Sequence, residues 1–254
     1  MTAQSALDLN CDMGESYGAW KMGNDEAVLG YVSSANIACG FHGGDPATLR
    51  QTVAAALKQG VAIGAHPSLQ DLAGFGRRTM QISPQEAYDI TVYQIGALAG
   101  VARSQGGALH HMKAHGALYN MAVKDAKLAR ALAQAVRDID GDMIFYGLAG
   151  SVMIQEAEAL GLRVAQEVFA DRSYQPDGSL TPRTQPDAMI TDVNKAVEQV
   201  LRMVQENAVI ATDGTRVPLK PDTLCIHGDQ PNAVVFAQGI RKALQEAGIE
   251  VKTV

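Results

Sequence analysis

The 254-residue chain has few cysteines and lacks any segment that would cross a membrane. Its three cysteines are an odd number, and none belongs to a CxxC pair, which fits a reducing cytoplasm better than a secreted disulfide scaffold. No run of about 18 apolar residues occurs, so we predict no membrane span. No basic region followed by a long apolar stretch begins the chain, so we expect no signal peptide and a cytoplasmic location.

The chain also lacks an excess of basic residues and lacks a phosphate-binding P-loop. Its net charge of −6 argues against nucleic acid or an anionic membrane as a partner. No GxxxxGK[ST] motif and no Gly-Lys pair occurs in the sequence, which excludes a P-loop. If the reaction uses ATP, the nucleotide must be handled by different chemistry or by another chain.

Short apolar runs alternate with segments of helical periodicity along the whole chain. Asp45 and Ser83 are expected to cap two amphipathic helices, Thr191 a third, and Asp229 the last one. The alternation predicts right-handed βα units around one parallel sheet, as a single domain over residues 1–254. The runs that are typical of buried parallel strands are residues 6–10, 35–38, 61–65, 109–112, 143–146, 164–169 and 223–227.

Ionisable side chains concentrate where these strand-like runs end. Loops at the C-terminal ends of parallel strands converge, so these groups are expected to share one pocket. We place five of the six histidines within a few residues of such an end and none in a predicted helix. The sixth, His111, lies inside the fourth run and alternates with Met112, so we expect it to face the helical layer. The stretch from Asp171 to Pro186 lacks periodicity and is typical of a lid or binding loop.

Two chemistries remain open for the groups after the first three strands. Asp12, His42 and His66 could hold a divalent metal ion with open positions, which suits hydrolysis. The same residues could act without a metal, as a base with substrate hydrogen-bonders. Lys113 and His115 alternate on an extended segment and so point to one side, where an ammonium would stabilise an oxyanion or phosphoryl group.

Arginines beside the predicted pocket are candidates for holding a substrate carboxylate. Arg77 and Arg78 follow the third strand, while Arg172 and Arg183 border the long loop. A guanidinium can bind a carboxylate through two parallel hydrogen bonds. We interpret Cys11 beside Asp12 as a small buried hydrophobe rather than a nucleophile, and we interpret Cys39 in the same way.

Six motifs are long and chemically unusual. They are DLNCDMGE at 8–15, NIACGFHGGD at 36–45, GAHPS at 64–68, GFGRR at 74–78, KAHGALYN at 113–120 and EVFADR at 167–172. Together with HGD at 227–229 they resemble the LamB/YcsF family, to which the A subunit of prokaryotic 5-oxoprolinase belongs. The resemblance covers almost the whole chain, and no polar position departs from it.

The resemblance implies an irregular, seven-stranded parallel βα barrel of the glycoside hydrolase/deacetylase type. It implies ATP-dependent hydrolysis of 5-oxo-L-proline (pyroglutamate) to L-glutamate by an A subunit that works with B and C subunits, with ATP handled together with those partners. We expect catalytic roles for Asp12, His66, Lys113 and His115. We expect substrate binding by Asn10, His42, Arg77, Glu167, Arg172 and His227.

Two other functions compete with this interpretation. A metal-dependent deacetylase or amidohydrolase acting on a carbohydrate amide would use the same Asp12, His42 and His66. A non-catalytic subunit that delivers a small carboxylate to a partner enzyme is the other. The density of titratable groups favours catalysis, because simple binding needs hydrogen bonds more than acid–base groups.

Overall fold

Seven parallel strands close into a barrel. The computed structural model describes residues 5–227 and 233–254. The strand order is β1-β2-β3-β4-β5-β6-β9, and β9 pairs back to β1 in parallel register, which confirms the predicted barrel. The strands are β1 Ala6–Met13, β2 Ser34–Ala38, β3 Ala62–His66, β4 His111–Lys113, β5 Ile144–Leu148, β6 Val164–Phe169, β7 Ala208–Ile210, β8 Arg216–Pro218, β9 Thr223–His227 and β10 Glu250–Val251.

Helices follow the barrel strands and cover their outer faces. Asp45 caps α2 by accepting the backbone N–H groups of Ala47 and Thr48, and Ser83 forms a capping box with Glu86. The described helices are α1 Asp25–Leu29, α2 Pro46–Gln59, α3 Pro84–Ser104, α4 Gly116–Ala122, α5 Ala126–Ile139, α6 Val152–Ala159, α7 Val193–Glu206 and α8 Ala233–Glu246. A short 3-10 turn covers Pro186–Ala188.

Two predictions about helix starts need comment. The predicted cap Thr191 is wrong by one residue, because the side chain of Asp192 accepts the backbone N–H groups of Asn194 and Lys195 at the start of α7. A carboxylate at this position also interacts favourably with the positive end of the helix dipole. The predicted cap Asp229 lies outside the described residues, as does Gly228 of the HGD motif.

The barrel interior is polar, and His111 belongs to it. His111 Nε2 donates a hydrogen bond of 2.7 Å to Asn36 Oδ1, and its ring stacks on Tyr146 at 4.1 Å between centroids. The expectation that His111 faces the helices is therefore wrong; Met112 takes that position in the apolar core. Gly64 on β3 makes this possible, since a Cβ at that residue would overlap the His111 ring.

The N-terminal half of the barrel is closed by a buried carboxylate. Asp8 accepts hydrogen bonds from the hydroxyls of Ser33, Ser34, Tyr146 and Thr223. These donors satisfy a charge that would otherwise be costly to bury. The network therefore closes the barrel floor below the pocket.

Three features were absent from the sequence prediction. The hairpin β7–β8 is antiparallel and separate from the barrel, and β10 adds to the first residues of β1. His110 lies at the start of β4, next to the carbonyl of Val254, and is therefore at the mouth opposite the pocket rather than at a C-terminal strand end.

Among the described residues, every helix is too short or too polar to cross a membrane.

Candidate active site

A cavity of about 670 Å³ opens at the C-terminal ends of the barrel strands. Small-molecule pockets are typically about 300–1,000 Å³. Seven of the predicted site residues line it: Asp12, His66, Arg77, Lys113, His115, Arg172 and His227. The other three, Asn10, His42 and Glu167, are buried behind its wall and contact the residues that line it.

Lys113 lies at the centre of the floor, at the end of β4. Its Nζ lies 2.9 Å from Asp12 Oδ1 and 2.8 Å from Glu167 Oε1. The amide oxygen of Asn10 at 3.3 Å and the sulfur of Cys225 at 3.1 Å complete its surroundings. Burial lowers the pKa of Lys113, but the facing carboxylates of Asp12 and Glu167 outweigh it and raise the pKa well above its ordinary value. Lys113 is therefore a buried ammonium that binds two carboxylates.

Asp12 is held between that ammonium and an imidazole. Asn36 donates a hydrogen bond of 2.8 Å to Asp12 Oδ1, while Oδ2 lies 3.3 Å from His66 Nε2. Burial raises the pKa of Asp12, yet the adjacent His66 imidazole and the Lys113 ammonium prevail and keep the pKa well below its ordinary value. The carboxylate is therefore ionised at neutral pH and borders the cavity.

Three imidazoles and a carboxylate form a compact cluster beside Asp12. Ligand atoms of Glu15, His42, His66 and His115 all lie within 4.8 Å of one another. The rings of His42 and His115 stack at 3.7 Å between centroids, and His42 Nε2 lies 3.1 Å from Glu15 Oε1. Burial, together with the charges of the neighbouring imidazoles, lowers the pKa of His42 and of His115 well below the ordinary value.

The loop after β3 fixes the outer side of this cluster. The Phe75 carbonyl lies 2.9 Å from His115 Nε2, which donates the hydrogen bond because a carbonyl only accepts. Gly76 has φ of +62°, and a Cβ at that residue would lie 2.8 Å from the His115 ring. A side chain there would displace the imidazole, which explains glycine at this position. The exposed Arg77 lies above the Phe75 ring at 4.9 Å.

A second imidazole–carboxylate pair forms the opposite wall. His227 Nδ1 lies 2.9 and 2.8 Å from the two oxygens of Asp171, and Nε2 lies 2.9 Å from Arg183 Nη2. A guanidinium only donates, so Nε2 accepts and Nδ1 carries the proton. Burial raises the pKa of Asp171, but the hydrogen bond from His227 Nδ1 and the nearby guanidinium groups of Arg183 and Arg172 reverse this and lower the pKa. Asp171 thereby fixes the His227 tautomer and leaves a basic nitrogen at the cavity.

Arg172 organises the long loop. Its guanidinium donates to the carbonyls of Thr181 at 2.6 Å and Ala188 at 3.2 Å. Burial and the charge of Arg183 lower the pKa of Arg172 to about 10. Residues 179–184 of this loop line the cavity, as a binding loop should. Arg172 therefore positions the loop at the same time as it borders the pocket.

The structure divides the sequence-predicted metal candidates between two clusters. His42 and His66 belong with Glu15 and His115, whereas Asp12 belongs with Cys225 and His227. Sequence reasoning did not assign roles to Glu15, Asn36, Asp171 and Cys225. Glu15, Asn36 and Asp171 stand inside motifs that carry other site residues, so proximity in the motif was the available signal; Cys225 had none beyond its position on the last strand.

Comparison with known proteins places this site in a family. The LamB/YcsF family profile matches residues 7–254, nearly the full length of the chain. The chain belongs to the LamB/YcsF family. A relative from Bordetella pertussis, named as the A subunit of 5-oxoprolinase, is 72% identical over 247 residues, covering 97% of this chain and 98% of the relative.

Two solved structures superpose on this barrel, one at high and one at low sequence identity. A lactam utilization protein from Thermus thermophilus superposes with a TM-score of 0.93 and 48% identity, covering 98% of this chain and all of that one. A family 4 carbohydrate esterase from Streptomyces lividans superposes with a TM-score of 0.53 at 12% identity, covering 98% of this chain and 93% of its own. At that identity the esterase shows a shared fold alone. This chain thus shares its barrel fold with that esterase.

Proposed function

We propose that this chain is the A subunit of a 5-oxoprolinase that hydrolyses 5-oxo-L-proline to L-glutamate with consumption of ATP. The observation that carries the proposal is the 72% identity, over 97% of the chain, to a protein named as the A subunit of 5-oxoprolinase. A lactam utilization protein with the same fold at 48% identity supports the same class of substrate. The pocket supplies the acidic, basic and cationic groups that lactam opening needs.

The chemistry of the substrate explains the need for ATP and for partners. A five-membered lactam is a poor electrophile, and its closure is favoured over the open amino acid. Phosphorylation of the amide oxygen by ATP makes the ring carbon electrophilic. Water then adds to that carbon and the C–N bond breaks as the nitrogen takes up a proton, which leaves γ-glutamyl phosphate. A second water hydrolyses this acyl phosphate to L-glutamate and phosphate, so that ring opening is coupled to the consumption of ATP. The chain has no P-loop, so we propose that the nucleotide is handled together with the B and C subunits.

Asp12 is the proposed base for the attacking water, together with His66 or His115. Its carboxylate stays ionised because Lys113 lies 2.9 Å from Oδ1 and Asn36 donates to the same oxygen. His66 Nε2 lies 3.3 Å from the other oxygen, Oδ2, and orients the carboxylate. General-base catalysis of this kind contributes roughly 10²–10⁴-fold to rate.

Lys113 is proposed to stabilise the negative charge that develops during ring opening or phosphate departure. An ammonium has three donors; Asp12, Asn10 and Cys225 accept its hydrogen bonds, and Glu167 Oε1 lies 2.8 Å away as an ion-pair partner. The neighbouring positions hold weaker partners, the Asn10 amide oxygen and the Cys225 sulfur. A substrate oxygen can therefore replace one of these weaker partners without breaking either ion pair.

Two groups on the open side are proposed to orient the substrate. Arg77 and Arg183 are exposed cations at the cavity rim, where either can bind the substrate carboxylate. His227 Nε2 accepts a hydrogen bond of 2.9 Å from Arg183 Nη2 and so positions that guanidinium at the rim. Arg172, whose guanidinium binds loop carbonyls, is proposed to act by positioning the loop.

Reconstitution tests the assignment. The purified chain, combined with its B and C subunits, is expected to release glutamate and ADP in equal amounts from 5-oxo-L-proline. Asp12→Asn and Lys113→Ala should each lower turnover at least about 10²-fold, while the distant control His110→Gln should not. Full activity of both site variants would refute the proposed roles, and ATP-independent release of acetate from a carbohydrate amide would favour the deacetylase function.

A further inference from the structure

In the cluster beside Asp12, the imidazoles of His66 and His115 face each other through ring nitrogens that both lack a proton when the rings are neutral. His66 Nδ1 lies 2.8 Å from the Lys113 carbonyl, and His115 Nε2 lies 2.9 Å from the Phe75 carbonyl. Both nitrogens must donate, because a carbonyl only accepts. The remaining nitrogens, His66 Nε2 and His115 Nδ1, lie 3.0 Å apart.

Two neutral imidazoles do not carry enough N–H groups for the three contacts that His66 and His115 make. Three contacts each need one N–H, whereas two neutral imidazoles carry only one N–H apiece. Without a further positive charge, the lone pairs of His66 Nε2 and His115 Nδ1 face each other at 3.0 Å and repel. Either an additional proton or a metal cation must therefore lie between them.

The surroundings favour a metal cation. Backbone carbonyls commonly orient metal-binding imidazoles through the nitrogen that does not face the metal, as they do for His66 and His115. Two metal–nitrogen bonds of about 2.1 Å separate their nitrogens by about 3.0 Å at a right angle and about 3.4 Å at a tetrahedral angle, close to the 3.0 Å between His66 Nε2 and His115 Nδ1. Glu15 Oε1 lies 3.5 Å from His115 Nδ1 and supplies an anionic ligand, with Asp12 Oδ2 3.3 Å from His66 Nε2.

His42 is part of the cluster but cannot share the ion with His115. Their rings are stacked at 3.7 Å with an angle of 4° between planes. An imidazole binds a metal in its own plane, so an ion in the plane of one ring lies well outside the plane of the other. His42 instead holds the His115 ring by stacking and contacts Glu15 through Nε2 at 3.1 Å.

We propose that Glu15, His66 and His115 bind one divalent first-row transition-metal ion such as Zn²⁺ or Co²⁺. Two imidazoles with one carboxylate match the donors these ions prefer, unlike the all-oxygen sites of Mg²⁺ and Ca²⁺. His66 and His115 line the cavity, so the open side of the ion faces it, next to Asp12. Such an ion supplies Lewis-acid chemistry to a carbonyl or water in the cavity. The site does not depend on the identity of the substrate.

Metal binding can be measured on the chain alone, without substrate, nucleotide or partner subunits, so its outcome is separate from that of the proposed function. Chelator-treated protein is titrated with Co²⁺ and followed by visible absorption, and Zn²⁺ binding is measured by calorimetry. We expect one ion per chain and a Co²⁺ spectrum without a thiolate charge-transfer band. If neither Co²⁺ nor Zn²⁺ binds, the proposal is overturned, and an additional proton between His66 Nε2 and His115 Nδ1 remains as the explanation of their contact.

Variants locate the ion. Glu15→Gln and His115→Gln are expected to weaken Co²⁺ binding more than the roughly 10- to 100-fold loss typical of an outer partner. His42→Gln should stay within that smaller range, and His110→Gln, at the opposite mouth, should bind as the unmodified chain does. A thiolate band that disappears in Cys225→Ser, together with full binding in Glu15→Gln, would show that the ion binds at Asp12, Cys225 and His227 instead. That result would refute the proposed site. Thermal unfolding of each variant verifies that it is folded, and the spectrum of the unmodified chain stands without any variant.

Discussion

The ammonium of Lys113 offers the sharpest test of how the pocket floor is held together. It is buried, with Asp12 Oδ1 at 2.9 Å and Glu167 Oε1 at 2.8 Å. At these distances and an effective dielectric constant of about 20, each pair carries about 6 kcal/mol of Coulomb energy before desolvation is subtracted. Removing one partner of a buried pair costs about 3–5 kcal/mol. We therefore expect Lys113→Met to lower the free energy of unfolding by about 3–5 kcal/mol at pH 7.

The loss of unfolding free energy in Lys113→Met should depend on pH, and the direction of that dependence follows from the pKa of Asp12. The pKa of Asp12 in the folded chain lies well below the ordinary value of 3.8. Its contribution to stability is therefore present above pH 3.8 and is lost as the pH falls through the lowered folded value. Without Lys113, the pKa of Asp12 rises and the carboxylate takes up a proton in mildly acidic solution. The stability gap between the two proteins should narrow as the pH falls from about 7 towards about 4.

Urea unfolding followed by far-UV circular dichroism, at several pH values, measures the effect. The matched control is Lys58→Met, an exposed lysine in the last turn of α2, which should cost less than about 0.5 kcal/mol. The double variant Lys113→Met with Glu167→Gln should recover part of the loss, because it removes one uncompensated charge. A loss below about 1 kcal/mol, or an equal loss at every pH, would show that the floor does not depend on this ammonium.

Three further predictions test the remaining parts of the structure. Gly64→Ala should lower the free energy of unfolding by about 1–3 kcal/mol in urea unfolding, because the added Cβ overlaps the His111 ring. The control Gly96→Ala, in open space on α3, should raise it by about 0.5–1 kcal/mol. The reverse order of stabilities would refute the interior position of His111. Asp171→Asn should lower turnover of the reconstituted enzyme about 10²-fold by releasing the His227 tautomer, and unchanged turnover would contradict that role. The three buried cysteines should resist a thiol reagent in the native chain and react together on unfolding, and rapid native labelling would contradict their burial.

The barrel and its polar mouth could be predicted because both leave periodic signals. Buried parallel strands are short apolar runs, and five of the site residues lie at the ends of such runs or directly after them: Asp12, His42, His66, Lys113 and His227. The position of each at a strand end fixes its height in the barrel, because parallel strands end at the same mouth. Pocket membership could therefore be predicted from the sequence for Asp12, His66, Lys113 and His227, whereas His42 lies behind the pocket wall.

Partnerships within the pocket could not be predicted in this way. Glu15 contacts His42 across 27 positions and Asp171 contacts His227 across 56, so neither pair appears as a local spacing. The orientation of His111 depended on Gly64, a residue of the neighbouring strand. Strand period alone places a side chain on one of two faces, and only the closure of the barrel decides which face is inside.

Charge distribution links the proposed function with the proposed metal site. Four carboxylates, those of Asp12, Glu15, Glu167 and Asp171, are buried in the floor and walls of the pocket, whereas Lys113 and Arg172 are the buried cations in the described part of the chain. An anionic lactam would be repelled by such a floor, although rim arginines attract it. A divalent ion at the His66–His115 contact removes most of that repulsion while the base remains ionised. The ion bound by Glu15, His66 and His115 would then make the pocket compatible with a negatively charged substrate.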